Sequence, residues 1–160
     1  MDLRTEEAAG GVRGGRLTFA SNVQATLTLT AVATTTSLPD VVIPAGAIPP
    51  DATISRVTAS LLWRKQVDSS GLANAVNVAQ EVQVRDDTPG TWTTAIDIVD
   101  NSLATQANGT EGGSVMVGDN DVSGEVDGED TYNFQWLLAD VDGNDLVLHD
   151  VQVLLSLDYE

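Results

Sequence analysis

Apolar and polar residues alternate with a period of two along most of this chain. The pattern is clear over residues 23–31, 56–64, 76–84, 92–98, 132–138 and 147–159. A period of two places successive side chains on opposite faces of a β-strand, whereas a helix needs a period near 3.6. Valine and threonine dominate these runs, as β-branched residues do on pleated surfaces. The alternation therefore predicts an all-β chain.

Turn signals separate the alternating runs, among them Pro49-Pro50-Asp51, Asp127-Gly128 and Asp142-Gly143. They divide the chain into about eight to ten short strands, which is the pattern of an antiparallel two-sheet sandwich. Among sandwiches, we expect a jelly roll first and an immunoglobulin-like arrangement second. In the last strand, the alternation predicts that Val147, His149 and Val151 share one face.

The 160 residues fit one domain preceded by a short arm. Residues 1–16 contain four glycines and no hydrophobic period, which predicts a flexible N-terminal arm. The single β-sandwich domain is then predicted to cover residues 17–160. Arg4, Arg13 and Arg16 lie in the predicted arm and are candidates for contact with an acidic neighbour.

The net charge of -17 excludes several classes of partner. Because such an acidic surface repels nucleic acid and anionic lipid, we expect neither as a partner. The chain has no apolar run of the ~18 residues that a membrane span needs, and residues 1–16 lack the apolar core of a signal peptide. Aspartate outnumbers glutamate 17 to 7 and lysine occurs once, a composition that favours a protein working in high salt.

Few residues offer chemistry. Cysteine is absent and His149 is the single histidine, which removes thiolate sites and histidine clusters for zinc. His149 is predicted to be a partly buried structural residue, and no nucleophile-elbow motif accompanies it. Paired carboxylates are the catalytic groups of glycosidases, so a small hydrolase is a further hypothesis for the function of this chain. The sequence favours a non-enzymatic protein.

Ten carboxylates and no basic residue lie between Asp119 and Asp150. Asp140, Asp142 and Asp145 offer hard oxygen ligands in a loop, so they are weak candidates for a structural Ca²⁺ or Mg²⁺ site. The glycine at the fourth place and the missing glutamate at the twelfth exclude an EF-hand. The alternative interpretation is a solvated acidic rim with no cofactor.

Aromatic residues raise a second functional hypothesis, a carbohydrate-binding or adhesion module assisted by calcium. The stacking platform for sugar rings would consist of Trp63, Trp92, Trp136, Tyr132 and Tyr159. The strand phases of Trp63 and Trp136 instead predict core positions, and Trp92 is predicted to be more exposed.

Several stretches resemble a known class of protein. They are Trp63-Arg64-Lys65, Asp68-Ser69-Ser70-Gly71, Asn74, Gln80, Val82-Gln83-Val84-Arg85, Glu111-Gly112-Gly113, Asp127-Gly128, Thr131-Tyr132-Asn133-Phe134 and Asp150-Val151-Gln152. Over residues 40–160 the chain is similar to small β-sandwich virion proteins of tailed viruses of bacteria and archaea. The resemblance is one of strand and turn pattern and matches no catalytic motif.

The resemblance implies a capsid decoration, turret or fibre protein located on the virion. Its partners would be the major capsid protein or another virion protein and further copies of itself, as a homotrimer. With the aspartate-rich composition, the resemblance points to a virus of a halophilic host.

Overall fold

The computed structural model describes residues 14–29, 34–67, 80–86, 90–98, 111–138 and 146–160. These residues form nine β-strands and no helix. The strands are β1 (Gly15–Ala20), β2 (Gln24–Leu29), β3 (Thr34–Val42), β4 (Ile54–Val67), β5 (Gln80–Asp86), β6 (Thr93–Ile98), β7 (Glu111–Val117), β8 (Thr131–Leu138) and β9 (Leu146–Tyr159). Accordingly, no helix in the described ranges is long and apolar enough to cross a membrane.

The strands form two antiparallel sheets. In the first sheet the order is β1-β9-β4-β7, and β2 pairs with the part of β9 that β1 leaves free. In the second sheet the order is β3-β8-β5-β6. All of the strand pairs in the described ranges are antiparallel. The predicted all-β, two-sheet sandwich is therefore confirmed.

The core lies between the two sheets and is built by the alternation seen in the sequence. In β4 the odd-numbered residues from Val57 to Trp63 are buried, and the even-numbered residues between them are half-buried. Tyr132, Phe134 and Trp136 of β8 face them from the second sheet and are almost completely inaccessible. The core positions predicted for Trp63 and Trp136 are confirmed.

β1 and β2 are two halves of one interrupted strand along β9. The break falls at Ser21, whose backbone N–H donates to Val153 O at 2.8 Å. The Ser21 hydroxyl oxygen then accepts from the Val153 N–H at 2.9 Å, in place of a backbone carbonyl. Gly15 and Arg16 pair with Tyr159 and Asp158, so the sandwich begins at residue 15 rather than at the predicted residue 17.

β9 changes phase at Asp150, which differs from the prediction. Asp150 has φ of 53°, in the left-handed region, and so departs from extended strand geometry. Val151 is buried, but Leu148 replaces His149 as the inward residue before Asp150. The predicted common face for Val147, His149 and Val151 is therefore wrong, because one irregular residue shifts the alternation by one position.

Candidate interaction surface

The outer face of the first sheet carries a continuous area without charged side chains, which we call the uncharged patch. It consists of Thr18 and Ala20 of β1, Thr58, Ser60 and Leu62 of β4, Val115 and Val117 of β7, and Gln152, Leu154 and Ser156 of β9. In β4 and β9 their side chains lie opposite the buried residues of the same strands, and strand register places the residues of β1 and β7 on the same face. On a chain of net charge -17, ten adjoining outward residues without a carboxylate are a marked departure from the average surface.

Strand register arranges the patch in three rows across the sheet. Thr18, Ser156 and Thr58 form the first row. The second row contains Ala20, Leu154, Ser60 and Val117. The third contains Gln152, Leu62 and Val115. The two valines are 57% and 66% exposed, so the edge of the patch at β7 offers aliphatic surface to a partner.

Arginines border the patch at both ends. At one end, Arg16 forms a two-pronged ion pair with Asp158, with Nε–Oδ1 at 2.6 Å and Nη2–Oδ2 at 2.8 Å. This pairing lowers the pKa of the Asp158 carboxyl. Arg56 lies beside Asp158 and donates to the carbonyl of Asp119 at 3.2 Å. At the other end, Arg64 pairs with Asp150. These five groups sum to a charge of about +1, so the whole face is close to neutral.

The outer face of the second sheet is polar and hydrogen-bonded. Gln135 donates to Gln83 at 2.7 Å, and Glu81 accepts from Gln83 at 3.1 Å and from Thr94 at 2.8 Å. Asp40 accepts from Asn133 at 3.1 Å. Asp97 lies beside Glu81 in the strand register and is exposed. Carboxylates and amides bonded to one another in this way suit a face that stays in water.

All four edges of the described sandwich are irregular. β1 and β2 are separated at residues 21–23, and β3 has a register shift between Leu38 and Val41. The pairings of β6 and β7 with their neighbours shift as well. Bulges and breaks prevent a foreign strand from pairing along an edge. Contact with a partner is therefore expected through a sheet face rather than by adding a strand.

Carboxylates of residues 118–130 bind backbone N–H groups of both sheets. Asp121 Oδ1 accepts from Val57 N–H of β4 at 3.0 Å, and Glu125 Oε1 accepts from Asp86 N–H of β5 at 2.8 Å. Backbone donation from Val57 and Ser123 lowers the pKa of Asp121, because it stabilises the ionised form. Part of the predicted acidic rim thus ties the connection between β7 and β8 to the ends of the strands.

Glu129 shapes an open groove at the same end of the sandwich. Its two oxygens accept from Gly46 N–H at 2.8 Å and Ile48 N–H at 2.9 Å, and these bonds lower the pKa of the Glu129 carboxyl. The groove has a volume of about 780 Å³, and Ile48, Asp127 and Glu129 contribute to its walls. A general acid needs a raised pKa. Glu129 has the opposite shift and acts as a clamp on the β3–β4 connection.

Of the six candidate site residues proposed from sequence, Arg16 alone lies within the described residues. The candidates that lie outside the described residues are Asp140, Asp142 and Asp145, together with Arg4 and Arg13. Within the described ranges no group of three or more potential metal ligands comes together. Arg16 belongs to β1 and pairs with Asp158 of its own chain, so its assignment to the arm was wrong.

His149 and the aromatic residues are also placed. His149 is half-buried, and its Nδ1 lies 3.5 Å from Thr26 Oγ1. Trp92 is half-buried beneath the Arg85 guanidinium, whose carbon lies 4.5 Å from the ring centroid. The uncharged patch was missed at the sequence level. Its only signal was the absence of acids at the outward positions of residues 16–20, 56–62 and 152–156, and strand adjacency is needed to join these segments.

Comparisons with models of protein families, with curated proteins and with solved structures found no match for this chain.

Proposed function

We propose that this protein is a non-enzymatic virion structural protein of the capsid decoration or turret type. It would associate with neighbouring protein through the uncharged patch and turn its carboxylate-bearing face to the solvent. The observation that carries the proposal is the difference between the two outer faces of one sandwich. One face has ten adjoining uncharged residues, and the other has Asp40, Glu81 and Asp97 among hydrogen-bonded amides.

The pairing order of the strands supports a jelly roll, the arrangement found in many viral capsid and lectin domains. With β1 and β2 counted as one interrupted strand, the eight strands pair first with last, second with seventh, third with sixth and fourth with fifth. The corresponding observed pairs are β1/β2 with β9, β3 with β8, β4 with β7, and β5 with β6. A folded-over hairpin of this kind favours the jelly roll over the immunoglobulin-like alternative. Because one fold hosts many functions, it supports the proposal without deciding it.

The carbohydrate-binding alternative loses most of its stacking platform. Trp63, Trp136 and Tyr132 are 3%, 0% and 1% exposed, so none of them presents a ring face to a sugar. Trp92 has Arg85 over its ring. We therefore retain this alternative only as an outcome of the test below.

The proposal is tested by particle incorporation with a matched pair of variants. Val115→Asp places a carboxylate in the uncharged patch, and Val42→Asp places one at a valine of similar exposure, 54% against 57%, on the second sheet. Particles would be purified from cells that produce each form, and the protein quantified by mass spectrometry. We expect the wild type and Val42→Asp in the particles, and Val115→Asp reduced about ten-fold or more, because a carboxylate buried in an apolar contact is strongly penalised.

Absence of the wild-type protein from particles would refute the proposal, as would equal incorporation of the two variants. A glycan array run on the wild type provides the complementary measurement. Specific sugar binding that Val115→Asp leaves unchanged would favour the adhesion module instead.

A further inference from the structure

We infer that the partner covering the uncharged patch is a second copy of this chain, packed patch to patch about a two-fold axis. The inference rests on the proposed function in one respect, namely that the patch is a contact surface. Four observations carry it: the charge distribution, the arrangement of charges at the two ends of the patch, the condition of the sheet edges and the size of the face.

Charge decides where two copies can meet. Each copy carries a net charge of -17, so most pairs of surfaces bring carboxylates together. Contact through the second sheet would place Asp40, Glu81 and Asp97 of one copy against the same residues of the other. Like charges placed opposite each other in a contact are strongly unfavourable. Contact through the uncharged patch opposes no carboxylates within the patch, which includes the aliphatic side chains Leu62, Val115 and Leu154.

The ends of the patch are self-complementary. One end holds Arg16, Arg56 and Asp158, and the other holds Arg64 and Asp150. A two-fold axis that runs parallel to the strands, between β9 and β4, brings β9 of one copy over β4 of its partner and each end of the patch over the same end. Arg56 then lies over an Asp158 of the second copy, and Arg64 over an Asp150. Isologous contacts require such pairing of a surface with itself.

The irregular sheet edges and the area of the patch are both consistent with two copies that pack face to face. The irregular edge strands described above disfavour joining two sheets into one. The patch with its charged ends is five rows long and four strands wide. At a rise of about 3.3 Å per residue and a strand spacing of about 4.8 Å, it covers on the order of 600 Å² in projection. A standard interface buries about 800 Å² per partner, so the face is sufficient for a dimer at the low end of that range.

Salt dependence gives this contact a distinctive signature. The contact is largely uncharged, whereas the two bodies that approach each other are strongly negative. Their repulsion is screened over about 10 Å at 0.1 M salt and about 3 Å at 1 M. Dimerisation should therefore strengthen with salt. A contact held together by ion pairs would weaken instead.

The test is sedimentation velocity and size-exclusion chromatography with light scattering on the full chain. Wild type, Val115→Asp, Val117→Asp and the control Val42→Asp are compared at 0.1 M and 1 M NaCl. Concentrations should run from about 5 µM to about 500 µM, the range suited to a small interface. We expect a dimer of wild type and Val42→Asp whose dissociation constant falls on going to 1 M salt. In both patch variants the dissociation constant should rise about ten-fold or more.

The possible outcomes separate this inference from the proposed function. A wild type that stays monomeric at the highest concentration in 1 M salt overturns the inference. If Val115→Asp is nevertheless lost from particles, the patch binds a different virion protein and the proposed function stands. A trimer, as the resemblance implies, overturns the two-fold arrangement, and so does a dimer that Val42→Asp weakens as much as Val115→Asp does. Circular dichroism of each variant confirms that the fold is retained.

Discussion

Replacing Gly118 by alanine should destabilise the fold more than its exposed surroundings suggest. Gly118 follows β7, and its N–H donates to the carbonyl of Ala59 in the first sheet at 2.8 Å. A methyl group at residue 118 would lie 2.3 Å from the carbonyl oxygen of Ala95 in the second sheet and 3.0 Å from that of Ala59. Both contacts are with backbone atoms, so a side-chain rotation cannot relieve them.

The size of the effect follows from two contributions. Forcing a methyl group into a packed site costs about 1–3 kcal/mol. Weakening the hydrogen bond to Ala59 adds about 1 kcal/mol. A total of about 3 kcal/mol corresponds to a fall in melting temperature of roughly 6–12 °C for a domain of this size. Gly124→Ala is the matched control, because a methyl group there meets nothing within 4 Å. It should be neutral or stabilise by up to about 1 kcal/mol through the unfolded chain.

Urea unfolding followed by tryptophan fluorescence measures both variants, because Trp63 and Trp136 are in the core. The reasoning is refuted if the free energies of unfolding of Gly118→Ala and Gly124→Ala agree within about 0.5 kcal/mol, which is the usual range for surface substitutions.

Three further predictions concern the carboxylates and the core. Glu129→Gln should lower the melting temperature at pH 7, and its deficit relative to wild type should shrink as the pH falls below about 4. Because the pKa of Glu129 is lower in the folded chain than in the unfolded chain, the ionised carboxylate stabilises the fold above the unfolded-state pKa, and this stability is lost on protonation. A deficit that is independent of pH contradicts this reasoning. Tyr132→Phe should cost about 1–3 kcal/mol in urea unfolding, because the buried hydroxyl donates to Gly128 O at 2.9 Å and accepts from Gly128 N–H; a change below about 0.5 kcal/mol would argue otherwise. Finally, the melting temperature should rise between 0.1 M and molar NaCl because screening reduces the repulsion among 24 acidic residues, and a flat response removes the inference of a high-salt habitat.

The strands of the sandwich could be predicted because their signal is local. In β4 and β8 the alternation runs without interruption through the buried residues, and the predicted inward side chains are the observed ones. The prediction failed at Val23, which is 57% exposed in the break between β1 and β2, and before Asp150 in β9. In β9 one irregular residue reverses the inward and outward faces, and the residue types alone do not mark it.

The candidate surface was beyond sequence reasoning for a different reason. Ala20, Leu154 and Val117 are far apart along the chain and become neighbours only through the pairing of β1, β9, β4 and β7. The carboxylates that bind backbone N–H groups are likewise distant from their partners, since Val57 and Asp121 are 64 positions apart. Arg16 looked like part of an arm until its pairing with Asp158 placed it in β1.

By itself, the sequence determined that the chain forms an all-β sandwich with an acidic exterior, because side-chain alternation and composition are properties of short segments. The tertiary structure decided which outer face carries the uncharged patch and which acids bind backbone N–H groups. Those features depend on strand order and register, which arise from contacts between residues remote in the chain.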